Sequence, residues 1–170
     1  MYKSFQEIPQ HPQIHYHIHT DWADLEHTIN RYIKAHKLQM FPDFQRGHVW
    51  TEEQEIAFIE YIMMGGTSGR QIYFNHPGWM SNFKGNFVLV DGLQRLSAVL
   101  DFLNNKIKIF GKFFNEYEGR LSHDWGFEFN IATVEKKVDV LKWYYFMNVG
   151  GTPHSKEEIS KVERMIEENS

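Results

Sequence analysis

The sequence predicts an α+β fold, a single domain of short strands and four to five helices. Three observations predict it. The spacing of apolar residues switches repeatedly between a period of two and a period near 3.6 along the chain. Two capping-box pairs, Thr51 with Gln54 and Ser155 with Glu158, mark helix starts. The segment Val88-Leu89-Val90-Asp91-Gly92-Leu93-Gln94-Arg95-Leu96 runs from an apolar strand through Asp-Gly directly into a helix.

Taken in order, residues 1–13, with Pro9 and Pro12, read as an irregular amino-terminal arm, and residues 14–170 as the domain. Ile14-His15-Tyr16-His17-Ile18-His19 alternates as a strand does. Thr20 or Asp21 then caps a helix whose buried stripe is Trp22, Leu25, Ile29 and Ile33, ending near Lys37. Residues 41–50 form an aromatic-rich loop. Thr51 opens a helix carrying Ile56, Ile59, Ile62 and Met63, which stops at Gly65-Gly66. Gln71–Asn75 is a short strand, and Pro77-Gly78 and Lys84-Gly85-Asn86 supply turns. Phe87–Asp91 is unbroken in its apolar character, as a strand buried on both faces is. The next helix, about Leu93 to Asn104, buries Leu96, Val99, Leu100 and Leu103. Lys106–Phe110 and Phe127–Thr133 read as strands, and Val134–Asn148 as a helix ending at Gly150-Gly151. A polar helix follows Ser155.

Composition narrows the function classes. A net charge of −4 and a pI of about 6.2 argue against a protein that coats nucleic acid, which needs a broadly basic surface, although a local basic groove is compatible. The absence of cysteine excludes disulfides and thiolate metal sites. No apolar run reaches membrane-spanning length, and no signal-peptide pattern opens the chain, so a soluble cytoplasmic protein is the expectation.

The strand–turn–helix at 88–96 concentrates the chemistry. It sets a carboxylate, an amide and a guanidinium around the unpaired N–H groups of a helix start, which attract anions and phosphates above all. Asp91, at the carboxyl end of its strand, is placed to hold Mg²⁺ or orient a water; its structural alternative is an ordinary turn aspartate. A cation in a first helical turn opposes the helix dipole by about 0.3–1 kcal/mol, and an anionic ligand there removes that penalty. Arg95 is therefore the expected phosphate contact, and Gln94 is placed to orient an attacking water. The alternative for Arg95 is a structural ion pair with Asp91. Gln45 and Arg46, in the aromatic loop, can add a second positive charge, or Arg46 can stack on Trp50 or Phe44. Asn148, Gly150, Gly151 and Thr152 form a permissive helix end that can present successive N–H groups to an anion, or simply terminate the helix. His15, His17 and His19 share one strand face, but same-face neighbours stand about 6–7 Å apart, which suits two metal ligands better than three.

Three of these pieces line up with one known family. Phe44-Gln45-Arg46-Gly47-His48-Val49-Trp50, followed by Glu53-Gln54 and Ile59-Glu60, resembles its first motif. Val90-Asp91-Gly92-Leu93-Gln94-Arg95-Leu96 resembles its second, usually Asp-Gly-Gln-Gln-Arg, and Asn148-Val149-Gly150-Gly151-Thr152-Pro153-His154-Ser155 its third. In order and spacing the chain, from about residue 14, resembles the N-terminal domain of GmrSD-type restriction endonucleases. The resemblance implies a ParB/sulfiredoxin-like α+β fold. It also implies binding and hydrolysis of a nucleoside triphosphate, with Mg²⁺, at the Asp-Gly-Gln-Gln-Arg motif: Asp91, Gln94 and Arg95 catalytic, and Gln45, Arg46, Gly92, Asn148, Gly150, Gly151 and Thr152 nucleotide-binding. Such domains usually regulate an HNH-type nuclease in phage defence. Leu93 stands where the family usually has glutamine, a departure that bears on hydrolysis more than on binding. The chain stops about one helix beyond the third motif, so a solo version without a nuclease segment is expected.

Three functions follow as expectations. The first is a nucleotide-binding domain with NTP hydrolysis, acting in or against a phage defence system. The second is a non-enzymatic module that binds or inhibits a protein partner, such as a nuclease or another defence component. The third, least favoured by the acidic balance, is DNA binding, nicking or modification sensing.

Overall fold

The computed structural model describes residues 3–47, 49–149 and 156–170. It holds a four-stranded sheet and five α-helices: β1 Ile14–Asp21, α1 Trp22–His36, α2 Glu52–Met63, β2 Gln71–Asn75, β3 Val88–Asp91, α3 Leu93–Leu103, β4 Gly126–Ala132, α4 Lys137–Val149 and α5 Lys156–Glu168. The α+β class is as the sequence predicts. Strand order is β1-β4-β2-β3; β4 runs parallel to β2, and the other two pairings are antiparallel.

Side-chain alternation divides the sheet between two cores. Ile72, Phe74, Leu89, Phe127, Phe129 and Ile131 pack with Trp22, Leu25 and Tyr32 of α1, Ile59 and Ile62 of α2, and Leu96, Val99 and Phe102 of α3. Val88, Val90 and Ala132 join Val140, Leu141, Trp143 and Tyr144 of α4 and Val162 of α5 in the second core. Tyr32 is a hub of the larger one, with ring contacts to Phe74, Trp79, Phe87 and Phe129. Burial holds its hydroxyl protonated, pushing the pKa up to about 12.

Helix ends follow local rules. Thr51 and Gln54 form the predicted capping box, each side chain satisfying the other residue's backbone N–H. Lys37 closes α1 in the left-handed conformation (φ 57°). Two expectations need correction. Lys106–Phe110 is not a strand. Ile107 and Ile109 are buried as alternation demands, but the chain reverses at Phe110 (φ 47°) and Gly111 (φ 79°), leaving a single Ile109–Lys112 bridge. Alternating burial without a neighbouring strand makes no sheet. The fourth helix starts at Lys137 rather than Val134, because the buried Asn75 amide claims both backbone groups of Val134, accepting at 2.8 Å and donating at 3.0 Å. The second capping box begins at Ser155, outside the described residues.

Two of the three histidines of β1, His17 and His19, are engaged individually. His17 Nδ1 lies 2.6 Å from Asn130 Oδ1. His19 lies 2.7 Å from Glu128 and 3.0 Å from Asp21, and His123 lies 2.6 Å from the other Asp21 oxygen. Among the described residues no group of three His, Asp or Glu could hold a metal. The hydrogen bond to Glu128 raises the His19 pKa, and the bond to Asp21 raises that of His123. The bond to His123 lowers the Asp21 pKa. Raised histidines stabilise the fold fully below their unfolded value, 6.5, and lose that contribution as pH rises through their folded values. Asp21 contributes above 3.8 and is lost as pH falls through its lowered value. His123→Gln is therefore expected to lower the melting temperature more at about pH 5.5 than at about pH 8; equal losses at both would remove the clasp from the stability account.

Candidate functional site

Because β2 and β3 are antiparallel, the start of β2 and the end of β3 meet at one end of the sheet, where Asp91 pairs with Tyr73. The chain turns at Gly92 (φ 110°) into α3. A Cβ on Gly92 would stand 2.5 Å from Ile72 Cδ1, so glycine is required by both backbone and neighbour. Gly92→Ala is expected to destabilise by about 2 kcal/mol, strain and clash together, measured by denaturant unfolding; a neutral result would show that the turn relaxes freely.

Around this turn lies a cleft of about 380 Å³. Gln45, Arg46, Asp91, Gly92, Gln94, Arg95 and Asn148 all line it. Three other predicted binding residues, Gly150, Gly151 and Thr152, lie outside the described residues, as does His48. The walls come from the 45–50 loop, the loop after α2, the first turn of α3 and the carboxyl end of α4.

Arg95 is mostly buried, and three of its five N–H donors are engaged. It pairs with Asp91 at 2.5 Å and donates to the carbonyls of Gly69 (3.0 Å) and Gln71 (2.8 Å). The guanidinium thus ties α3 to the loop entering β2. Gln94 faces the other way. Its Oε1 accepts from the N–H groups of Val49 (2.8 Å) and Trp50 (3.0 Å), and its Nε2 donates to the Gly47 carbonyl at 3.0 Å. Gln45 Nε2 reaches the carbonyls of Leu89 and Val90 at 3.4 Å, at the edge of β3. The Arg46 backbone bonds to the Tyr144 hydroxyl, whose pKa is raised chiefly by burial. No carboxylate pairs with the Arg46 side chain among the described residues. Asn148 Nδ2 donates to Tyr144 O at 2.7 Å, one helical turn back.

Sequence reasoning missed Phe58, Tyr61, Ser68, Gly69 and Met147 as wall residues, and Trp50 lines the cleft with them. Trp50 meets Phe58 edge-on at 5.6 Å. The Tyr61 ring fills the space where a Cβ on Gly66 would be, and its hydroxyl accepts from Ser68 Oγ at 2.9 Å. That bond lowers the Tyr61 pKa. The available signal was Gly66 itself, five residues before the predicted strand, but no residue pattern announces that the Tyr61 ring lies over it.

Charge distinguishes this cleft from a larger cavity of about 770 Å³. The smaller one is lined by two guanidinium groups, Arg46 and Arg95, and one carboxylate, Asp91, which suits an anion. The larger is lined by Asp43 and Glu135 against Lys137 and holds none of the predicted site residues. Among the described residues, no helix is long and apolar enough to cross a membrane.

Comparison with known proteins agrees with the motifs. No curated protein and no solved structure matches the chain. A family model described as the GmrSD restriction endonuclease N-terminal domain matches residues 25–137, which include the first two motifs and stop short of the third. With well over half of the chain matched, the protein belongs to the family of the GmrSD restriction endonuclease N-terminal domain.

Proposed function

We propose that the cleft binds a nucleoside triphosphate, and that the protein uses this binding in restriction or defence against phage, the setting its family name implies. The observation that carries the reading is the cationic cleft at the Asp91–Arg95 turn, set in a chain of net charge −4. Phosphates would lie at the amino end of α3, where the N–H groups and Arg46 face them. Trp50 and Phe58 offer an apolar wall for the base. Asp91 is the one carboxylate lining the cleft among the described residues. That donor set fits Mg²⁺ carried in on a triphosphate, which binds through one or two carboxylates and keeps several waters, and does not fit a dedicated metal centre. When bound, the ion would neutralise phosphate charge. Its attraction for Asp91 would also draw the carboxylate from Arg95 and free guanidinium donors for the ligand. Hydrolysis, if present, uses Asp91 and a water at this turn.

The test is a thermal-shift panel of ATP, GTP, CTP and UTP with and without Mg²⁺. A Mg²⁺-dependent rise for at least one nucleotide supports the reading, and a flat panel rejects it. A flat panel would move the account to a module that binds a protein partner, tested by pull-down with the host's defence proteins.

The Leu93 departure has a structural consequence. Leu93 is 3% exposed and packs in the larger core beside the cleft. Leu93→Gln is expected to cost about 1–3 kcal/mol of stability by burying an amide. Where Leu93 limits turnover, the same variant raises the hydrolysis rate; unchanged hydrolysis would acquit this position.

A further inference from the structure

We infer that Gln94 is a positioning residue: it holds backbone groups of Gly47, Val49 and Trp50 and so helps to set where Arg46 and Trp50 stand in the cleft, without touching the reacting atoms. The inference rests on the nucleotide-binding reading for its ligand, but its structural half is independent of it. Gln94 is 9% exposed. An amide oxygen has two lone pairs, and both are taken, by Val49 N–H and Trp50 N–H. A group that activates an attacking water must accept that water's proton, and Gln94 Oε1 has no acceptor left to offer. Its nitrogen keeps one spare N–H, which can donate but not accept.

The loop it grips is anchored upstream at Gln45, whose N–H bonds to Pro42 O (3.0 Å) and whose Nε2 reaches the Leu89 and Val90 carbonyls (3.4 Å), and at the Arg46 backbone, which bonds to the Tyr144 hydroxyl. Residues 45–47, 49 and 50 carry no regular secondary structure, and beyond Arg46 the bonds among the described residues are those to Gln94. Three bonds from one buried side chain, reaching 44–47 residues back along the chain, therefore fix the stretch of wall that follows Arg46 and leads into Trp50. The consequence is thermodynamic coupling. Releasing Gly47, Val49 and Trp50 leaves Arg46 held from one side, by its backbone bond to Tyr144, so its contribution to ligand binding falls with that of Gln94.

The test uses Gln94→Met, which removes all three bonds at similar volume, and Gln94→Glu, which keeps both acceptor bonds and loses the donor bond. Amide hydrogen exchange of Val49 and Trp50 is measured without ligand. Binding of inorganic tripolyphosphate, Mg-ATP and Mg-GTP is measured by titration calorimetry, alone and combined with Arg46→Ala. Gln94→Met is expected to speed exchange at Val49 and Trp50 and to weaken binding about tenfold, with Gln94→Glu between it and wild type. Arg46→Ala is expected to weaken binding strongly in wild type and little in Gln94→Met. For any nucleotide that is turned over, KM rises and kcat stays within about threefold. Unchanged exchange, additive losses with Arg46→Ala, or a fall in kcat at unchanged KM would each overturn the inference. Should the wild type bind no probe, the nucleotide reading fails; accelerated exchange in Gln94→Met then still upholds the clamp, and unchanged exchange removes it. If Gln94→Met does not fold, Gln94→Glu carries the same comparisons.

Discussion

Arg95→Ala is expected to abolish nucleotide-dependent stabilisation and also to destabilise the free protein by about 2 kcal/mol. Two separate roles produce the two losses. In the free protein the guanidinium bonds to Asp91 and to the carbonyls of Gly69 and Gln71. Removing it leaves two carbonyls and a carboxylate short of a donor. Asp91 is one-third exposed, so water recovers part of the cost, which keeps the figure below that of a fully buried pair. With a nucleotide bound as proposed, the same change would remove a phosphate contact, and it takes away half of the cleft's positive charge. Arg95→Lys separates the roles, because a lysine keeps the charge but cannot reproduce the fork that spans the carboxylate and two carbonyls. Thermal shift with and without Mg-nucleotide, on all three proteins, reads both effects. Retention of the nucleotide-dependent rise in Arg95→Ala would move the phosphate site away from α3.

Phe129→Ala is expected to cost about 3–5 kcal/mol, lowering the melting temperature by roughly 10 °C. Phe129 is fully buried on β4, a strand paired on both sides. Its ring meets Phe74 edge-on at 4.9 Å and Tyr32 at 6.2 Å. Truncation leaves a cavity under the middle of the sheet that neither flanking strand can collapse into without breaking its ladder. Phe129→Leu should recover more than half of the loss, since most of the volume returns. Denaturant unfolding of both variants checks the prediction, and a loss below about 1 kcal/mol for alanine would mean that the core repacks freely. This variant leaves the cleft residues untouched, so it also serves as a control: it should lower stability while preserving the nucleotide-dependent rise.

The elements that a sequence states plainly are those whose signals are local. The Thr51–Gln54 box, the apolar stripe of α1 and the Val88–Leu96 strand–turn–helix each lie within one stretch of chain, and each appears where the pattern places it, except that Tyr32 and not Ile33 completes the buried stripe of α1. The same locality misled at Lys106–Phe110, where alternation is real but no partner strand is near. It also misplaced the start of α4, because the competitor for Val134's backbone groups is Asn75, fifty-nine residues earlier.

By itself the sequence determined the α+β class, the order of the elements apart from the strand expected at Lys106–Phe110, the strand–turn–helix at Asp91–Arg95, and membership of the GmrSD N-terminal domain family. Those follow from periodicity, capping chemistry and motif spacing, all legible along the chain. Only the tertiary structure decided which groups share a cleft and which way each side chain faces. It turned Gln94 toward the Gly47–Trp50 backbone, set Arg95 across the mouth of β2, and brought Tyr61 and Ser68 into the wall. The reason is physical: these bonds go to backbone atoms distant in sequence, and a carbonyl or N–H carries no residue signature that could announce its partner.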